Sequence, residues 1–289
     1  MSRPAPDILC LGEAMVEFSA PPRGGVEQGW IQGFGGDTSN CAVAAARQGG
    51  RVGYISAVGD DPFGAMLVEM WTREGIDTTA VLRDPSAPTG VYFITHGASG
   101  HAFSYLRAGS AASRLTPAAL PRQMIGKARV LHLSGISQAI SASGADTAFE
   151  AMAVARAAGV LVSYDTNLRL RLWPLPRARA VIMAAVAEAD IVLPGLEDAR
   201  QLTGLDDADA IADRFLAGHA RVVALTLGKE GALVATRERR ERIGSLPVAA
   251  IDASGAGDCF DGAFLVEYLR TGDAYDAGRY ACAAAALST

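Results

Sequence analysis

Short apolar, β-branched runs alternate with stretches of helical periodicity along most of this chain. Asp7–Gly12, Val52–Val58, Val130–Ser134, Val160–Tyr164, Ile191–Leu193 and Val222–Thr226 read as strands. Between the second and third, Phe63, Met66, Leu67, Met70 and Trp71 recur at helical spacing over Pro62–Glu74. Asp61 stands where it can cap that helix, with Pro62 at its first position. Ala145–Ala158, Ala178–Ala189 and Ala208–Ala217 read as further helices. Alternating βα units predict an α/β fold: a mostly parallel sheet covered on both faces, with ligands at the carboxyl ends of its strands.

Two segments break the alternation. Glu13–Gly33 and Thr89–Leu106 carry aromatic and β-branched residues at strand-like spacing, separated by Gly and Pro turns. They predict a small antiparallel sheet inserted into the α/β body. Pro-Pro-Arg-Gly-Gly at 21–25 is the most turn-like stretch of all. No internal repeat, low-complexity tract or linker is visible, so residues 1–289 read as one domain with two insertions, about 13–33 and 89–106. At 289 residues, half of them hydrophobic, the chain can bury a large core.

Charge narrows the partners. A net charge of −5 argues against nucleic acid or an anionic membrane as a partner. Lysine occurs only at 127 and 229, which leaves arginine as the main tool for binding anions. Cys10, Cys41, Cys259 and Cys282 form no C-x-x-C pair and read as buried thiols in a reducing compartment. Histidines 96, 101, 132 and 219 lack metal-ligand spacing. No apolar run approaches the ~20 residues of a membrane span, and the start Met-Ser-Arg-Pro lacks a signal-peptide core, so a cytoplasmic location is expected.

The richest chemistry lies at Ile251-Asp252-Ala253-Ser254-Gly255-Ala256-Gly257-Asp258, a small-residue turn running into the apolar helix Cys259–Leu269. Free N–H groups at a helix start, unshielded by side chains, form an anion site. Gly255, Ala256 and Gly257 would supply those groups while Asp258 takes a hydroxyl proton, a combination suited to phosphoryl transfer. A simple helix cap fits the octamer equally well. No G-x-x-x-x-G-K-[ST] loop, G-x-S-x-G elbow or protein-kinase catalytic loop is present.

A second segment favours the chemical reading. Gly35-Gly36-Asp37-Thr38-Ser39-Asn40-Cys41-Ala42, followed by Gly49 and Gly59, precedes Val58-Gly59-Asp60-Asp61-Pro62-Phe63-Gly64. Together with the octamer, these segments resemble the paired signatures of the PfkB (ribokinase-like) carbohydrate kinases, departing only at Ala253, where that family usually has Thr or Pro. The resemblance covers nearly the whole chain. It implies a ribokinase-like three-layer α/β/α fold whose inserted sheet is a lid over the sugar and a homodimer surface. ATP and Mg²⁺ are the implied cofactors and Asp258 the implied catalytic base, held ionised and weakly basic by its helix N-terminus. Gly35, Gly36 and Asn40 would lie against the sugar, the glycines also serving a tight turn that caps the following helix.

Substrate choice turns on Tyr105-Leu106-Arg107-Ala108-Gly109-Ser110-Ala111, Asp165-Thr166-Asn167-Leu168-Arg169 and Leu131–Ile136. These resemble the 2-keto-3-deoxygluconate kinase branch, in which Arg107 and Arg169 converge on a sugar acid's carboxylate while Tyr92, Tyr105 and Asn167 complete the site. A neutral-sugar kinase of fructokinase or ribokinase type, or a sugar or nucleotide sensor without turnover, are the alternatives. Many family members carry N-x-x-E after the strand at 191–193; here the segment is Gly195-Leu196-Glu197-Asp198, and Asp198 would act on magnesium through water. Thr226, Gly228 and Gly231 resemble the nucleotide-proximal turn, with a plain β-hairpin as the alternative, and Cys282 falls where relatives place an adenine-side Asn. The Ala-rich helix Tyr280–Leu287 stops at Ser288-Thr289, whereas the family runs on for about a turn and a helix that wall the adenine pocket; either the natural chain continues or the pocket is more open.

Overall fold

The computed structural model describes residues 5–21, 29–97 and 100–289. The Met-Ser-Arg-Pro start and all of the 21–25 turn beyond Pro21 lie outside the described residues. In chain order the strands are β1 (Ile8–Leu11), β2 (Met15–Ser19), β3 (Ile31–Gly35), β4 (Val52–Gly59), β5 (Val81–Asp84), β6 (Val91–Gly97) and β7 (Gly100–Leu106). They continue as β8 (Val130–Ser134), β9 (Leu161–Asp165), β10 (Ile191–Leu193), β11 (Val222–Thr226), β12 (Ala232–Ala235) and β13 (Arg240–Ile243).

Nine of these strands form one sheet, ordered β13-β12-β11-β10-β9-β8-β1-β4-β5. From β5 to β11 every pairing is parallel; β12 and β13 add an antiparallel edge. Burial explains why the strands read as unbroken apolar runs. On β1, Ile8 and Cys10 pack into one core layer while Leu9 and Leu11 pack into the other, so neither face meets water. The helix Pro62–Arg73 starts as expected, with Asp61 accepting from the Gly64 N–H at 2.8 Å. His132 on β8 is fully buried beside Ser163, and burial pushes its imidazole down to about 3, which fits a neutral core residue.

The insertions form a second, four-stranded sheet, ordered β3-β2-β6-β7. The expectation of an antiparallel sheet is corrected at its centre, where β2 and β6 run parallel. Their origin explains it: β2 follows β1 and β6 follows β5, and β1 and β5 point the same way in the main sheet. The register within the main sheet matters most for chemistry. Ser134 of β8 pairs with Asp165 of β9, and Asp165 with Leu193 of β10, so the three carboxyl ends lie level. A bridge between Gly195 and Thr226 extends that edge to β11.

Candidate active site

Two helix starts meet above the level strand ends. The first, Asp37–Arg47, follows Gly36, whose φ of +124° is open to glycine and strained for other residues. A Cβ at Gly36 would overlap the Glu13 carbonyl oxygen, and one at Gly35 would overlap the Tyr92 hydroxyl. Backbone packing therefore requires glycine at 36, and Tyr92 crowds position 35, which fits the tight-turn role of the pair. Asn40, one turn into this helix, donates from Nδ2 to Asp258 Oδ2 at 2.8 Å.

Asp258 stands in the first turn of the second helix, Ala256–Thr271, which is entered through Gly255 at φ +76°. The Ala256 N–H is committed to the Ala253 carbonyl at 3.2 Å, so it does not join an anion hole as expected. Among the described residues no backbone acceptor takes the N–H groups of Gly255, Gly257 or Asp258, leaving three donors at the helix start. The expectation of a weakly basic Asp258 is also corrected. Burial and the nearby Asp37 carboxylate push its carboxyl up to about 7, against the lowering pull of Asn40 and Arg169. Desolvation and like charge outweigh the helix dipole at this position.

Asp258 looks onto a cavity of about 340 Å³ lined also by Asp165, Asn167, Arg169, Asp198, Thr226, Gly257 and Asp261. Asn167 has a left-handed φ of +22° and donates from Nδ2 to Asp37 Oδ2 at 3.1 Å. Arg169 is half exposed, and its Nη1 lies 4.0 Å from Asp198 Oδ2. Asp198 accepts from the Leu168 N–H at 2.8 Å, and burial raises its carboxyl. No set of three or more carboxylates, histidines or cysteines among the described residues is placed to ligate a metal directly.

A neighbouring cavity of about 460 Å³ shares Thr226, Ala253 and Gly257 with the first. Gly228, Gly231 and Cys282 line it together with Leu246, Pro247 and Val248, so the four nucleotide-side candidates meet on one apolar-walled space. Thr226–Ala232 is also a hairpin turn between β11 and β12, so the two readings of that segment coexist. On the other side lies a cleft of about 750 Å³ that shares Ser254 and Gly255 and holds Gly35, Gly36, Asn40, Tyr92 and Glu17. The three spaces are neighbours that share lining residues, and Asp258 lines the middle one.

The candidates on and just beyond the second sheet are tied up differently from the expectation. Arg107 directs Nε and Nη2 to Glu13 Oε2, with the Nε bond at 2.8 Å, while the Ser110 hydroxyl donates to Glu13 Oε1. Arg107 is thus held by a carboxylate of the protein itself, and the structure does not converge it with Arg169 on one carboxylate site. Tyr92 stacks on Tyr105 with ring centroids 5.7 Å apart, and its hydroxyl donates to Glu17. Sequence reasoning missed Glu13, Glu17 and Asp261, and it held Asp37 and Asp165 only as positions within motifs, without a role. Glu13 and Glu17 follow the carboxyl end of β1, and Asp261 lies one helical turn beyond Asp258; those positions were the available signal.

Comparison with known proteins agrees with this layout. A family profile described as "pfkB family carbohydrate kinase" matches residues 5–289. The chain is 35% identical to a 2-dehydro-3-deoxygluconokinase of Bacillus subtilis over 88% of this chain and 80% of that protein. It is 34% identical to fructokinase-2 of Solanum habrochaites, covering 98% and 90%. Among solved structures, a fructokinase with bound ATP from Xylella fastidiosa superimposes with a TM-score of 0.86 at 28% identity, covering 97% and 91%. The fold is ribokinase-like, and the chain belongs to the pfkB family of carbohydrate kinases as an ATP-dependent sugar kinase.

Proposed function

We propose that this kinase transfers the terminal phosphoryl group of ATP to the primary hydroxyl of a sugar acid, with 2-keto-3-deoxygluconate as the substrate and its 6-phosphate as the product. The observation that carries the acid reading is Arg169. It is a half-exposed guanidinium lining the same cavity as the reacting acid, and its nearest carboxylate oxygen is 4.0 Å away. Its Nη1 donates to the Leu168 carbonyl at 3.0 Å, which leaves other N–H groups of the guanidinium to take a substrate carboxylate in a two-bond grip. The similarity to the Bacillus subtilis 2-dehydro-3-deoxygluconokinase supports the same class.

In this reading the acceptor hydroxyl approaches Asp258, whose carboxyl, pushed up to about 7, removes its proton as the oxygen attacks. Asn40 fixes the rotamer of Asp258, and the N–H groups of Gly255, Gly257 and Asp258 meet charge that develops on the transferred group. ATP would occupy the cavity lined by Thr226, Gly228, Gly231 and Cys282. Magnesium arriving with ATP would neutralise phosphate charge. The protein's part suits contact through water, because Asp198 lines the cavity beside Arg169 and no direct ligand set exists among the described residues.

One observation favours a neutral sugar instead. Arg107 is already balanced by Glu13, so the lid side brings no net positive charge to a carboxylate. The experiment is a panel of sugars and sugar acids with ATP and Mg²⁺, read as ADP release. The acid reading expects kcat/KM for 2-keto-3-deoxygluconate to exceed those for fructose and ribose by at least tenfold. A preference for either neutral sugar overturns it.

A further inference from the structure

Asp261 lies one turn beyond Asp258 in the helix Ala256–Thr271 and is 3% exposed. Residues three apart share a helix face, and helical side chains lean towards the N-terminus. Its carboxyl therefore leans back towards Asp258, and it lines the same cavity of about 340 Å³. Among the described residues no hydrogen-bond donor and no cation partners it. The other four buried acids, Glu13, Asp37, Asp190 and Glu267, all accept hydrogen bonds. So do Asp165, Asp198 and Asp258 on the cavity wall itself, from the Asn167 N–H, the Leu168 N–H and Asn40. Asp261 is the exception. A buried polar group without a partner costs free energy, and alanine would suit this helix position better. The acid is also firmly placed. A Cβ on the next residue, Gly262, would overlap the Cys41 carbonyl oxygen, so two helices meet backbone to backbone beside Asp261.

We propose that Asp261 is a substrate-binding residue that pairs with a second hydroxyl of the acceptor while Asp258 takes the reacting one. The inference rests on the acceptor entering this cavity with Asp258 as its base. A sugar hydroxyl both donates and accepts, so it satisfies the carboxyl whether or not that group holds a proton. Other occupants fit less well. The transferred phosphoryl is an anion and belongs against the free N–H groups at the helix start, not against an acid. A metal ion would lack a direct ligand set among the described residues. A neutral polar group remains, and a sugar kinase's acceptor brings several. The unpartnered acid thus has a ligand of the right chemistry within the reaction itself.

The test is calorimetric. It uses the preferred acceptor, 2-keto-3-deoxygluconate or fructose, and forms of that sugar lacking one hydroxyl each. In Asp261→Ala, affinity for the full acceptor should fall about tenfold or more while ATP affinity holds. Asp261→Asn keeps the shape and a hydrogen-bonding group. It should lose less, and it carries the comparison where the Ala variant does not fold. One deoxygenated form should bind wild type weakly, yet bind Asp261→Ala as well as the full acceptor does. That coupling marks a direct contact, which a merely structural role would not produce. Unchanged acceptor affinity in Asp261→Ala, or a loss shared equally by every deoxygenated form, overturns the inference. Near-normal turnover in Asp258→Asn would instead overturn the base assignment, and the binding comparison, which needs no turnover, would still judge Asp261.

Discussion

Asn40 and Asp258 lie 218 positions apart in the chain and 2.8 Å apart in space. The bond locks together the two glycine-led helix starts of the site and takes up one oxygen of the acid. The other oxygen, Oδ1, has no protein donor among the described residues and, under the proposed function, is left to meet an acceptor hydroxyl.

Replacing Asp258 by Asn keeps the shape and removes the base. We expect kcat to fall by about 100-fold or more, with sugar affinity nearly unchanged. Turnover assays and calorimetry on the same preparation check both halves; near-normal kcat would remove the assignment.

The raised carboxyl of Asp258 also fixes a pH dependence of stability. Its folded-state value, about 7, lies above the ordinary 3.8, so between those values the folded protein binds more protons than the unfolded chain. This contribution is fully present below 3.8 and is lost as pH rises towards 7. Asp258→Asn should therefore melt above wild type at pH 8 and close to it at pH 4. A lower Tm for the variant at pH 8 would contradict the raised value.

Arg107 and Glu13 form a buried pair, their side chains 13% and 1% exposed. Arg107→Ala strands a carboxylate in the interior, which should cost about 3–5 kcal/mol in urea unfolding. Adding Glu13→Gln to that variant should recover much of the loss. A single variant as stable as wild type would show that the pair carries no such role.

Arg169 should behave in the opposite way, because it is half exposed and loosely paired. Its loss should leave stability almost unchanged. Under the proposed function, Arg169→Ala weakens sugar-acid binding by about 30-fold to several thousand-fold, the equivalent of about 2–5 kcal/mol, and spares matched neutral sugars. Lysine should restore only part of the affinity. Equal weakening of both ligand classes in calorimetry would refute the carboxylate grip.

Much of the fold was legible because its signals are local. Val130–Ser134, Ile191–Leu193 and Val222–Thr226 match their predicted bounds, and the Asp61 cap forms as read. The ribokinase-like resemblance, carried by the two glycine motifs, foresaw the two-sheet architecture. Less legible were features set by distant neighbours. The parallel step between β2 and β6 follows from which strands of the main sheet feed them. The raised carboxyl of Asp258 follows from its burial and from Asp37, more than 200 residues away in the chain, and the engagement of Arg107 depends on Glu13. Neither partner shares a motif with the residue it controls.

Only Gly12, Glu13 and Ala14 separate β1 from β2, so the first insertion leaves the body at Glu13. The second insertion returns to the body just past Leu106, where Arg107 and Ser110 both grip that same glutamate. The exit of the first insertion and the return of the second are thus stapled through one side chain. For a lineage drifting towards a new acceptor, this makes position 107 costly to explore alone. Any change there loosens the staple, so altered specificity should arrive by paired substitution at 13 and 107, or by routes that leave both untouched, such as Arg169. Descendants of such a chain should show 13 and 107 changing together and 169 changing independently of them.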